Sequence, residues 1–199
     1  KVYGELPQPQ KEGSVFAGWY TAAEGGERIE AESVVRSAEQ HTLYARWKKA
    51  ESTLLLDANG GNASIKKKNV LSGNILGVLP KPSRQGYEFA GWYTQAEGGT
   101  LVTQNSAMPD QEEVTIYAQW KPITYTVTLD AVGGTVKTKE KQVTFDKAYG
   151  ELPVPEYEGY RFVAWYLDIE GKEKITAESL VKTPKNHVLY AYYTKMVQE

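Results

Sequence analysis

The chain of 199 residues contains no cysteine. That excludes a disulfide framework, a thiolate nucleophile and a cysteine-ligated metal site. Histidine is nearly absent, with only His41 and His187, so little material exists for acid–base chemistry at neutral pH. No window approaches the roughly 18 apolar residues that a membrane-spanning helix needs, and no direct membrane insertion is expected. Charge of one sign is also lacking: 23 Lys and Arg face 25 Asp and Glu, for a net −2. The run Lys66-Lys67-Lys68 reads as a solvated turn or strand edge, which leaves no electrostatic footprint for nucleic acid. No secretory leader opens the sequence, which starts at Lys1 and reads as a piece excised from a longer chain.

What is abundant is tyrosine. There are 14 Tyr and 5 Trp against 4 Phe. Both residues join an apolar ring to a polar handle, which suits thin modules whose side chains are half in the core and half wet. A hydrophobic share of 41% is ordinary for a chain with packed cores.

These aromatics recur. Trp19-Tyr20, Trp92-Tyr93 and Trp165-Tyr166 are spaced 73 residues apart. The same offset aligns Leu6-Pro7 with Leu79-Pro80 and Leu152-Pro153, and Gly13 with Gly86 and Gly159. It also aligns Leu43-Tyr44-Ala45 with Ile116-Tyr117-Ala118 and Leu189-Tyr190-Ala191, and places Trp47, Trp120 and Tyr193 in one column. No gap is needed, so the chain is a tandem array. The repeats span 1–48, 52–121 and 124–195. The second and third open with an apolar strand and a Gly-Gly turn, Leu54 to Gly61 and Val127 to Gly134. The first has no such opening and is read as truncated.

Within the third repeat, Tyr125 to Leu129 alternates and is rich in β-branched residues, which predicts a strand. Gly133-Gly134 is read as supplying the positive φ angles of a tight hairpin, with a return strand through Val136, Val143 and Phe145. Asp146 is placed as the cap of a short helical segment through Ala148 and Tyr149. Leu152-Pro153-Val154-Pro155 must be extended. Gly159 to Tyr166 and His187 to Tyr193 are strands, and Ala177 to Val181 a single helical turn. Glu24 to Glu27 and Glu97 to Gly99 read as hairpin turns. Each module therefore carries about four strands and one or two short helical pieces, joined to its neighbours by short connections as a semi-rigid rod.

The succession Asp-Ala-x-Gly-Gly, Leu-Pro-x-Pro, then Gly86-Tyr87-Glu88-Phe89-Ala90-Gly91-Trp92-Tyr93 and Ile116-Tyr117-Ala118-Gln119-Trp120, resembles the Listeria–Bacteroides repeat family, which includes the internalin B-repeat. The resemblance implies an α+β, mostly β fold of β-grasp-like (ubiquitin-like) modules. It also implies an extracellular or cell-wall-associated place on bacterial surface proteins. The third repeat departs from the pattern with Ala164 for Gly18 and Gly91, and Tyr193 for Trp47 and Trp120. Both changes keep a small residue and an aromatic in place.

No catalytic set emerges. His41 and His187 share a column that holds Val114 in the middle repeat, and they read as strand-edge side chains. Asp57 and Asp130 precede the Gly-Gly turns, where a short carboxylate bonds the turn backbone. No Asp-x-Asp-x-Asp run for calcium, no carboxylate pair set for glycoside hydrolysis and no Gly-Lys-Ser/Thr phosphate loop occurs. No cofactor or metal is expected, and the chain reads as a non-enzyme. The sharpest candidates for ligand contact are the repeated Trp19, Trp92 and Trp165 with Tyr20, Tyr93 and Tyr166. They present either a stacking surface for sugar or protein, or the bulk that a small module needs for its core. The expected role is a stalk or spacer with protein-interaction or adhesion surfaces, the alternative a carbohydrate-binding module using exposed Trp and Tyr. Expected partners are a host or bacterial surface protein or a glycan, together with self-association through the open edge of the truncated first repeat.

Overall fold

Alternation decides the third repeat. In β9 (Thr124–Asp130) the even step buries Val127 and Leu129 and leaves Thr128 and Asp130 outside. The return strand β10 (Glu140–Thr144) pairs antiparallel with it, Glu140 opposite Thr128. Three further strands, β11 (Tyr160–Tyr166), β12 (Lys174–Ile175) and β13 (His187–Lys195), complete a sheet of order β10-β9-β13-β11-β12. The closing strand β13 is central and runs parallel to β9, with His187 opposite Val127. Its Leu189 and Ala191 join Val127, Leu129, Val143, Trp165 and Ile175 in one buried cluster, to which Tyr149 and Val181 are added from outside the strands.

The second repeat has the same plan. Its strands β4 (Glu51–Asp57), β5 (Lys67–Leu71), β6 (Tyr87–Tyr93), β7 (Leu101–Val102) and β8 (Glu113–Pro122) are ordered β5-β4-β8-β6-β7, with β8 parallel to β4. The first repeat has only β1 (Ser14–Tyr20), β2 (Arg28–Ile29) and β3 (Tyr44–Lys49), ordered β2-β1-β3. Without an opening hairpin, β3 lies at a sheet edge where β8 and β13 are central. Residues 41–43, whose counterparts are strand, are irregular here. The core is open on that side: Trp165 and Trp92 are 2% and 3% exposed, whereas Trp19 is only half-buried.

The computed structural model describes residues 1–197. Among them there is no helix, and the expected α+β class of β-grasp-like modules with helical pieces is corrected to an all-β one with three sheets. The reason lies in where the backbone donors go. Asp146 does not cap a helix; its φ is +58°, in the left-handed region that ends helical geometry. The segment after it bonds across to the segment expected as the second helical turn. The Asp146 N–H donates to the Val181 carbonyl, that of Tyr149 to Ser179, that of Gly150 to Ala177 and that of Val181 back to Lys147. Each piece is too short to nucleate a helix alone, and each instead forms a turn whose flank bonds across to the other, pressing Tyr149 and Val181 into the core. The complete modules also have five strands rather than four, since the two-residue strands β7 and β12 close the sheets.

By its internal contacts the chain forms two compact units. One comprises residues 1–59, 63–81 and 92–118; the other comprises 60–62, 82–91 and 119–199.

Candidate functional site

The tryptophan column is the place to begin, because it recurs without exception. In each repeat the indole N–H donates to the carbonyl of the proline twelve residues earlier: Trp19 to Pro7, Trp92 to Pro80 and Trp165 to Pro153, all at 2.8 Å. The extended Leu-Pro segment thus serves as the acceptor for a buried indole, which would otherwise leave its polar atom unmet. Trp92 and Trp165 are buried, and Trp19 is half-buried. Tyr20, Tyr93 and Tyr166 are half-buried.

The histidines have a similar explanation. Tyr3 and His41 bond through the hydroxyl and Nε2, as do Tyr149 and His187 at 2.7 Å, and each pair meets edge-on. Nδ1 of each faces a backbone carbonyl, that of Glu39 or Lys185. A neutral ring with its proton on Nδ1 satisfies both contacts, with the tyrosine hydroxyl donating to Nε2. The middle repeat replaces both partners together, Leu76 for the tyrosine and Val114 for the histidine. Burial pushes the Tyr149 hydroxyl up to about 12, with the charge of Glu173 adding to it. Asp57 and Asp130 bond their turns as expected, each accepting the N–H of the residue two positions on at 2.8 Å. Among the described residues no group of three His, Asp or Glu is placed to hold a metal ion.

A concave surface rich in tyrosine lies on the third repeat. A groove of about 250 Å³ is lined by Tyr157, Tyr160, Tyr190, Tyr192 and Tyr193, with Val132, Ile169, Ala191 and Asp168. Tyr157 and Tyr160 stack at 4.5 Å, and Tyr193 meets Tyr157 edge-on at 5.3 Å. Tyr192 is 48% exposed and packs against Tyr166 at 5.4 Å. Tyr193 donates its hydroxyl to the Ala131 carbonyl, and burial raises it above the usual phenol range.

One wall of this groove is strained. Val132 has φ +44°, close to the +45° of Asn59 at the same place in the second repeat. Asparagine tolerates that region and a β-branched residue does not. Asn59 also closes its own module by donating from Nδ2 to the carbonyls of Ala96 and Ala118, bonds that valine cannot make. Val132→Asn is therefore expected to stabilise the third repeat by about 1 kcal/mol, read as a rise in its thermal midpoint; an unchanged or lowered midpoint would contradict the strain.

The tryptophans are marked by column identity. The groove is found by the opposite signal, the columns where the third repeat differs: Asn59 against Val132, Arg84 against Tyr157, Arg46 and Gln119 against Tyr192.

The Listeria-Bacteroides repeat domain is matched three times, over residues 1–46, 53–119 and 125–192. A protein named as a membrane protein in Evansella cellulosilytica is 31% identical over 96% of this chain, which covers 28% of that relative. A Gly-rich membrane protein of the same organism is 31% identical over 80% of the chain and 18% of its own length. Internalin H of Listeria monocytogenes is 30% identical over 72% of the chain and 25% of its own length. The chain thus spans less than a third of each of these relatives.

Proposed function

This chain belongs to the Listeria-Bacteroides repeat family, and from that membership we propose that it is a non-catalytic repeat segment of a larger bacterial surface or secreted protein. It acts there as a semi-rigid spacer that also offers contact surface. The relatives named as membrane proteins and as an internalin support the address. The spacer role rests on the junctions. A single residue, Ala50 or Ile123, separates the last strand of one repeat from the first strand of the next, and it is bonded on both sides. The Ala50 N–H donates to the Gly13 carbonyl and its own carbonyl accepts from Ser72; Ile123 does the same with Gly86 and Phe145. At the second junction Tyr87 adds a hydroxyl bond to Asp146 at 2.5 Å, and its ring meets Phe145 edge-on at 5.5 Å. The Lys182 ammonium, and after it the Tyr87 hydroxyl, hold the Asp146 carboxyl below the usual carboxylate range. These bonds support restricted freedom at the two residues Ala50 and Ile123.

Amide hydrogen exchange tests this reading. The N–H groups of Ala50, Ser72, Ile123 and Phe145 are expected to exchange about a hundredfold or more slower than an open chain. Exchange at open-loop rates would remove the spacer reading. The bare edge of β3 is the proposed point of self-association by strand addition. Sedimentation of the same sample over a range of concentrations should then show a rising mass that Leu43→Pro abolishes; a constant monomer would dismiss it.

A further inference from the structure

In the first two repeats, cations sit on aromatic rings of their own module. The Arg46 guanidinium lies 4.0 Å from the centre of the Tyr20 ring and donates to the carbonyls of Ala22 and Gly25. Arg84 lies 4.1 Å from the Tyr87 ring, and the Lys11 ammonium 5.9 Å from that of Trp47. The third repeat keeps the ring in each of these places, as Tyr166, Tyr160 and Tyr193, but it has no cation to match. Tyr192 stands in the column of Arg46, and Tyr157 stands in the column of Lys11 and Arg84. The result is the five-tyrosine groove, whose lining holds no Lys or Arg and a single charged residue, Asp168.

We propose that this groove binds the guanidinium of an arginine carried by an extended basic peptide, in the role that Arg46 and Arg84 fill within their own modules. Ring faces are negative at their centres and attract a cation most where water is partly excluded. A concave wall of tyrosines provides that setting, and Asp168 adds a full charge. Its carboxylate accepts the backbone N–H groups of Lys172 and Glu173 at 2.9 to 3.2 Å, and those bonds hold it below the usual carboxylate range. The strained Val132 serves the same end. It leaves an apolar wall, 39% exposed, where the second repeat has an asparagine bonded to its own backbone. The proposal is independent of the spacer role.

The test is a titration of the full chain, with tyrosine rings isotopically labelled, by acetyl-arginine amide and by its uncharged isostere acetyl-citrulline amide. Saturable shifts are expected at Tyr157, Tyr160 and Tyr192, with the arginine probe about tenfold tighter than citrulline. Tyr192→Arg and Tyr157→Arg install the residues that the first and second repeats carry in those columns. Each should fill the groove from within and weaken the probe about tenfold or more. Equal binding of citrulline, undiminished binding by both variants, or shifts spread evenly over tyrosines of all three repeats would overturn the proposal. So would tighter binding of a neutral oligosaccharide such as maltohexaose at the same tyrosines, which would make the groove a glycan site. Should a variant fail to fold, the comparison of the two probes on the unmodified chain decides the matter alone.

Discussion

Trp165→Ala is expected to destabilise the third repeat by about 3–5 kcal/mol, which removes most or all of the stability available to a module of this size. The ring is 2% exposed within the cluster of Val127, Leu129 and Leu189, so truncation leaves a cavity as well as losing apolar contact. It also strands the Pro153 carbonyl, whose donor is the indole N–H. Trp165→Phe separates the two effects: it keeps most of the bulk and loses the bond, for roughly 1–2 kcal/mol. Trp19→Ala should cost clearly less, because that ring is half-buried in a sheet of three strands rather than five. A chain of several modules need not unfold in one step, so the comparison is best read from the exchange of β1 and β11 amides in denaturant. Equal losses at Trp19 and Trp165 would mean that the opening hairpin contributes nothing to burying the column.

Gly134→Ala should follow at about 1–3 kcal/mol, for a reason that the Gly-Gly sequence hides. In the pairs Gly60-Gly61 and Gly133-Gly134 only the first glycine has a positive φ, +82° at Gly60 and +91° at Gly133. The second is there for closeness. A Cβ on Gly134 would stand 2.6 Å from the Glu156 carbonyl oxygen and 2.6 Å from the Tyr193 hydroxyl. A Cβ on Gly61 would meet the Trp120 ring at 2.3 Å and the Ser83 carbonyl oxygen at 2.8 Å. Backbone at that range cannot yield cheaply, and the Tyr193 bond to Ala131 would break as well. Adding Tyr193→Phe to Gly134→Ala should recover part of the loss, since it removes the hydroxyl but not the Glu156 carbonyl. Thermal melts of the two variants measure this, and a neutral Gly134→Ala would show that the turn has room.

The elements legible in the sequence were those fixed by near neighbours. Alternation marks β6 and β9, and the Gly-rich segments after Tyr20 and Tyr93 read as hairpin turns, without showing the two-residue strands that follow them. Asp130 was placed correctly because its bond spans two residues. The helical segments were misread because 146–149 and 177–181 have local compositions compatible with a helical turn, and their choice of partner lies across the module. The indole-to-proline bonds and the tyrosine–histidine pairs span 12 and 38 residues. They were visible only as columns, the second as Tyr and His exchanging together for Leu and Val.

The sequence by itself determined the 73-residue repeat, the family and the Gly-rich turns, because each is a matter of identity, spacing or local backbone preference. Tertiary structure decided what the repeated residues are for. It put Trp92 and Trp165 inside, with their indoles bonded to a proline segment folded over them. It opened a tyrosine groove on the third repeat, where Tyr157 and Tyr192 stand in columns that hold Lys11, Arg84 and Arg46, because only the fold brings residues so far apart in the chain to one wall.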